Sequence, residues 1–441
     1  MLARVGLGLE RIFGKWIPDP FVVAVGLTVL VGGAGWLATG DAAQVLDAWQ
    51  GPRGFWSLLG FSMQMCLVLV TGHAVAISPP ARRGLVWLSD RPRSGAEAAA
   101  MVSFVSIVLG LFNWGLGLVG GALLARFVSD SCARRGISAH GPLLAACGYV
   151  GMMAWHGGMS GSAPLKVTTR NDLVELLGPD LGSRLAVVPT SETLFSPLNL
   201  MVSLGLLFII PWVASQLAPE HGEPLSKPRD AREPEAFPGL AGARWFAWLL
   251  VVPLAWSQIR YLGAYGVQRL DPNAINGILL TLGVALHGTL GAYARAIQQA
   301  VSGCAGIILQ FPLYAGIMGI MAGTGLASAW ARAAASVEPN LFLWVTFLAA
   351  GALNLLVPSG GGQWAVQGPV AAEAAEALNL PLGTVVLAVA YGDQWTNMLQ
   401  PFWALPLMGL TGVRAGPLLG YTFVFLVVGG LWFSAGLWAF G

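Results

Sequence analysis

Residues 354–363 read Asn354-Leu355-Leu356-Val357-Pro358-Ser359-Gly360-Gly361-Gly362-Gln363. They interrupt an apolar stretch running from about 340 to 378. A proline followed by three glycines is a poor continuation for any helix. At membrane depth, non-helical backbone is tolerated only when protein or a wet cavity surrounds it. The segment therefore predicts a re-entrant helical hairpin that enters and leaves on one side. The competing reading is two short ordinary spans joined by a glycine-rich turn. Residues 97–130 repeat the design, with Asn113-Trp114-Gly115-Leu116-Gly117 at the centre. Each half holds about 15 apolar residues, short of the roughly 20 that a full span needs.

The rest of the chain is consistent with lipid as its solvent. Of 441 residues, 56% are apolar and 10% charged, and mean hydropathy is +0.68. A soluble domain carries about 25% charged residues. This excludes an ordinary cytosolic protein, a disordered chain and a nucleic-acid binder with a basic face. The net charge of +2 carries no partner signal. Cys66, Cys132, Cys147 and Cys304 lie apart, with no metal-ligand spacing, so neither a disulfide framework nor a zinc site is expected.

Ordinary spans are expected at about 20–38, 55–78, 193–217, 244–263, 273–291, 300–322 and 415–440. Broken helices are expected at about 140–168 and 382–411, where polar and Gly/Pro residues interrupt the apolar run. The fold class is all-α, a polytopic membrane protein. The first span is read as a retained helix, since its apolar run exceeds a signal-peptide h-region and no A-x-A site follows. With the N-terminus in the cytoplasm, roughly two thirds of the Lys and Arg residues fall inside, as the positive-inside rule requires. The expected place is the inner membrane. Residues 219–243 hold Pro219, Pro224, Pro228, Pro234 and Pro238 among many charges and read as a flexible cytoplasmic linker.

That linker separates two similar halves, 1–218 and 244–441. Asn113, Tyr149 and Pro164 recur at nearly the same spacing as Asn354, Tyr391 and Pro406. Ala146-Cys147-Gly148-Tyr149 matches Ala388-Val389-Ala390-Tyr391, and Gln64 and Gln310 each sit inside an apolar span. On the expected topology the halves run in opposite directions. Inverted repeats with broken helices meeting at the midplane mark secondary transporters.

With these residues in view, the chain resembles the short-chain fatty acid uptake transporter family, within a wider superfamily of anion transporters. The resembling stretches include W-I-P-D-P-F (16–21), N-W-G-L-G (113–117), S-G-S-A-P-L (160–165), V-P-S-G-G-G-Q-W (357–364), Y-G-D-Q-W (391–395) and Q-P-F-W-A-L-P (400–406). The resemblance implies uptake of short-chain carboxylates such as butyrate or acetoacetate. It also implies a homodimer and an elevator-like transport domain holding both hairpins. The family pattern is glycine-rich around His156 and has Glu where this chain has Asp393.

A short carboxylate would have to be held without a Lys or Arg near the midplane. The expected contacts are Asn113, Gly158, Ser160 and Ser162 from the first half, and Asn354, Ser359, Gly360, Gly361, Gly362 and Gln363 from the second. Half-helix N-termini offer free N–H groups and the positive end of the helix dipole. Glycine lets that backbone approach a ligand. Aromatic residues among Trp114, Trp155, Trp364, Trp395, Phe402 and Trp403 are candidates to wall the aliphatic tail. Ion coupling falls to Asp393, Thr396, Asn397 and His156, with Na+ or a proton as the coupling ion and no other cofactor. An ionised carboxylate at depth is costly unless it pairs or takes up a proton. For Asp393 and His156 the alternative is a structural hydrogen bond. Two other functions compete: an exporter or exchanger of small organic anions, and an intramembrane enzyme using His156 and Asp393. No nucleophile, base and orienting group stand together in the sequence, so an enzyme is not expected.

Overall fold

The computed structural model describes every residue except 1, 17–18, 178, 226–237, 267–271, 336, 339–340 and 441. The described residues are helical, with no strand among them. The first half comprises α1 Leu2–Trp16, α2 Pro20–Thr39, α3 Ala42–Gln50, α4 Leu59–Ile77, α5 Pro79–Ser89, α6 Gly95–Phe112, α7 Trp114–Arg134, α8 Gly141–Tyr149, α9 Ser162–Lys166, α10 Arg170–Leu177, α11 Pro179–Arg184 and α12 Pro197–Leu217. The second comprises α13 Arg244–Tyr265, α14 Pro272–His287, α15 Leu290–Ala300, α16 Ala305–Gly323, α17 Leu326–Ala335, α18 Phe342–Asn354, α19 Gly360–Ala377, α20 Leu382–Thr396, α21 Pro401–Thr411 and α22 Ala415–Phe440.

Among the described residues, six apolar stretches are long enough, by length and composition, to cross a membrane: α2, α6, α7, α12, α22 and Leu290–Gly323. The chain is a multi-pass membrane protein. Where the sequence shows one long span at 273–291, the structure divides it. Gly288 takes φ +74 and Thr289 caps α15, accepting from Ala292 N, so α14 stops at His287.

Both halves contain a helical hairpin followed by a broken helix. In the first, α6 and α7 are joined by the single residue Asn113. Extended backbone at Asn113 ends α6, and its side chain caps α7 by accepting from Gly115 N and Leu116 N. The two helices are 18 and 21 residues long, more than the 15 or so apolar residues counted in each half. The extra length is polar: Glu97 in the first turn of α6, Arg126, Asp130 and Arg134 in the later turns of α7. In the second half, five residues, 355–359, separate α18 from α19, and Ser359 caps α19 through Gly362 N.

The first hairpin packs on its broken helix by backbone contact. A Cβ built on Gly148 would come within 2.5 Å of Gly121 O, so no side chain fits between α7 and α8. The linker was expected to be flexible over its whole length. Its residues 226–237 lie outside the described residues, but 222–225 are bound. Gly222 N donates to Ser138 Oγ, Leu225 N to Ser129 Oγ, and Glu223 O accepts from Gly141 N. Buried Leu225 anchors this strap against α7 and α8.

Candidate functional site

The first break runs from Tyr149 to Ser162 as two 3-10 turns, Val150–Met153 and Trp155–Gly157, followed by extended residues. Such a stretch leaves backbone groups without helical partners, and buried groups of that kind need substitutes. The first hairpin supplies several. The Ser106 hydroxyl donates to Gly148 O at 2.7 Å and accepts from Gly151 N at 3.1 Å. Met159 N donates to Leu111 O at 2.7 Å. Trp114 N, at the hairpin tip, donates to Ser160 Oγ at 3.0 Å.

The second break, Asn397–Gln400, is served by Asn354 at the end of α18. Its amide nitrogen donates toward Asp393 O, Thr396 Oγ1 and Asn397 Oδ1, at 2.8, 3.1 and 3.0 Å. Its backbone carbonyl accepts from Gln400 Nε2. The Thr396 hydroxyl lies 2.8 Å from its acceptor, Gly351 O. Asn113 and Asn354, aligned in the sequence repeat, thus do different work. The first caps a helix, and the cap in the second hairpin is Ser359.

The two breaks touch. The Tyr149 hydroxyl reaches Asn397 O at 2.9 Å and Gln400 O at 3.3 Å, and Asn397 Nδ2 donates to Met152 O at 3.0 Å. In the other direction, Gln394 Oε1 accepts from His156 N at 2.9 Å and Gly157 N at 3.2 Å. Tyr391 acts at one remove. Its hydroxyl donates to Asn199 Oδ1 at 3.1 Å, and Asn199 Nδ2 donates to Gly157 O at 2.8 Å.

At this crossing lies a buried pair. His156 Nδ1 is 3.1 Å from Asp393 Oδ1, with the two side chains 1% and 2% exposed. His156 Nε2 is 2.9 Å from the Ala163 N–H and accepts from it. The ring proton is therefore on Nδ1 and is donated to Asp393, which leaves a neutral imidazole. Asp393 Oδ2 is buried without a hydrogen-bond partner, as are Asn354 Oδ1 and Gln400 Oε1. Asp393 was expected at the break itself; it lies inside α20, in the turn before.

The tip of the second hairpin rests on the first break. A Cβ built on Gly360 would meet Trp155 at 2.8 Å and His156 Cε1 at 2.9 Å. Trp155 in turn stacks on the His156 ring, with centroids 4.3 Å apart. Gly361 is exposed, and a Cβ there would meet nothing within 4 Å. Among the residues expected to contact solute, Ser160, Ser162, Ser359, Gly361 and Gly362 reach open space. Asn113, Gly158, Asn354, Gly360 and Gln363 are buried. Gln363 ties the two arms of its hairpin together, donating to Ala350 O at 2.9 Å.

The aromatic candidates divide similarly. Trp114 and Trp403 pack 5.4 Å apart beside Phe402, Phe61 and Phe311. Trp395 is engaged elsewhere, through Leu426 O, and Trp364 is fully buried. A cavity of about 520 Å³ lies away from the tips, lined by residues such as Asp19, Gln310, Leu405 and Arg414.

A chain-long comparison decides the family. The family model described as "Short chain fatty acid transporter" matches residues 1–236 and 239–440. The chain belongs to the short-chain fatty acid transporter family. The family's members are membrane transporters, not enzymes. Two bacterial members, each named "Putative short-chain fatty acid transporter", are 35% identical to this chain. The one from Escherichia coli strain K12 aligns over 100% of both chains. The one from Haemophilus influenzae aligns over 99% of this chain and 100% of its own. Among solved structures, the Alcanivorax borkumensis YdaH transporter is 15% identical, covering 96% of this chain and 98% of that one, with a TM-score of 0.43.

For this short-chain fatty acid transporter family member, four polar residues at the crossing escaped the sequence reading as contacts: Gln394, Gln400, Asn199 and Ser106. Their signal was their setting. A side-chain amide in a long apolar run must find a partner inside the protein.

Proposed function

We propose that the chain is a secondary active carrier that takes short-chain carboxylates, of the butyrate and acetoacetate kind, into the cell across the inner membrane, with a co-transported cation. Its N-terminus is cytoplasmic. The two halves are inverted repeats, each hairpin is re-entrant, and the placement within the anion transporter superfamily follows from that plan. The working form is a homodimer, in which the hairpins and broken helices move together against the remaining helices in an elevator-like step.

The observation that carries this reading is the convergence of both hairpin tips on one break, at Trp114–Ser160 and at Gly360–His156. Neither tip bears a Lys or Arg. What they offer a carboxylate are hydroxyls and backbone. Ser160 Oγ and Ser359 Oγ each accept from an N–H and keep an O–H to donate. The N-terminus of α19, with Gly361 uncovered, adds free N–H groups and the positive end of the helix dipole. Asn113, Gly158, Asn354, Gly360 and Gln363 support this surface from behind. Asp393, His156, Thr396 and Asn397 form the ion-coupling centre beneath it.

The experiment is uptake of radiolabelled two- to six-carbon carboxylates into proteoliposomes, with Na+ and pH gradients imposed separately and protein-free liposomes subtracted. Saturable uptake that requires one of the gradients is expected. Counterflow with no gradient-driven accumulation would make the protein an exchanger instead.

A further inference from the structure

We propose that the coupled cation is a proton, carried on Asp393 Oδ2, and that it binds together with the solute carboxylate, one for one. This deepens the proposed function and rests on it. The first support is the unpartnered oxygen. Asp393 is 2% exposed, and its Oδ2 has no hydrogen-bond partner while Oδ1 takes the His156 Nδ1–H. Oδ2 thus keeps lone pairs that can take a proton without disturbing the bond at Oδ1.

The second support is what surrounds it. A sodium ion needs several converging oxygens, whereas a proton needs one lone pair. Thr396 Oγ1 and Asn397 Oδ1, natural ligands beside Asp393, both face the Asn354 amide nitrogen. His156 is not the carrier, because its Nε2 lone pair already receives the Ala163 N–H. Adding a proton there would set two donors against each other at the start of α9.

Among the described residues, no other ionised side chain is placed to neutralise Asp393. Of the elements packed on α20, α9 carries Lys166, which pairs with Asp172 at 2.7 Å. Helix α19 carries Glu373 and, bonded to Arg184, Glu376, both near its far end. Helix α22 carries Tyr421, and α20 itself Tyr391. Helix α18 and the turns 150–153 and 397–399 carry no titratable side chain, and the turn 155–157 brings His156 alone.

The coupling follows from geometry. The second hairpin tip meets one edge of the His156 ring, and Asp393 bonds its Nδ1. A solute anion at the tip is thus separated from Asp393 by little more than one imidazole. Two like charges at that range in a low dielectric oppose each other, so the anion binds when Asp393 is neutral. Solute and proton then cross as an electroneutral pair.

The test is calorimetric titration of the detergent-purified full chain with butyrate, without Na+, in two buffers of different ionisation enthalpy. Wild type is expected to take up about one proton per butyrate bound on the alkaline side of the profile, with apparent affinity falling about tenfold per pH unit there. Asp393→Asn, which mimics the protonated side chain, is expected to bind butyrate with no proton uptake and no pH dependence. Asp393→Glu restores both. Wild-type binding without proton uptake, binding that requires Na+, or unchanged proton uptake in Asp393→Asn would each overturn the proposal. The wild-type measurement decides it even if the variants do not fold. Absence of any two- to six-carbon carboxylate binding by wild type would instead sink the transport reading, and this one with it.

Discussion

The Ser160 hydroxyl accepts the Trp114 N–H at 3.0 Å, joining the tip of the first hairpin to the break that follows it. A hydroxyl used this way still has its own hydrogen to give. Ser160→Ala removes that donor from a site without basic side chains. Hydrogen bonds to charged groups contribute about 1.5–3 kcal/mol, so KM for carboxylate uptake should rise roughly ten- to a hundredfold. Kinetics in proteoliposomes measure it. An unchanged KM would remove Ser160 from the solute contacts.

Gly360 and Gly361 are neighbours with opposite surroundings. Gly360→Ala drives a methyl group against Trp155 and His156, whereas Gly361→Ala points one into open space. Overpacking of this kind costs about 1–3 kcal/mol. Gly360→Ala should lower the thermal midpoint in detergent by several degrees, and Gly361→Ala should leave it near wild type. Equal stability of the two proteins would contradict the docking of the tip on the break.

Tyr149 holds two carbonyls of the opposite break. Tyr149→Phe keeps the ring and removes the hydroxyl donor from both oxygens; Asn397 O keeps the Gln400 N–H, so the cost should be about 0.5–1.5 kcal/mol. Because Asn397 belongs to the proposed coupling centre, transport should fall with stability. Thermal melting and counterflow on the same preparation give both readings.

Gln394 accepts the N–H groups of both His156 and Gly157. Gln394→Ala leaves both donors without a partner and frees the Trp155–Gly157 turn. Faster hydrogen exchange at 155–157, with α6 and α7 unchanged, is expected. Uniform exchange across the hairpin and the break would show that the turn does not depend on Gln394.

The punctuation of the fold was legible in the sequence because it is local. Asn113, the run Pro358–Gly362 and Pro401 end or start helices by their own backbone chemistry, and the breaks fall where such residues interrupt apolar runs. The partnerships were not legible. Asn113 and Asn354 occupy matching places in the repeat, yet one accepts from its own helix and the other donates to a helix 39 residues or more away. Which role an asparagine takes depends on what the tertiary structure brings against it. The Asp393–His156 contact is non-local too, joining residues 237 positions apart. Both residues were conspicuous as polar groups in apolar sequence, and only the crossing of the breaks pairs them.

The interlocked breaks also bear on how the chain is made. The Tyr149 hydroxyl waits for carbonyls at 397 and 400 synthesised long after it, and the 155–157 turn waits likewise for Gln394. A nascent first half therefore sits in the bilayer with an unfinished centre until the ribosome has delivered residue 394. Prematurely terminated chains would expose that centre, giving cellular quality control a way to tell an incomplete protein from a finished one.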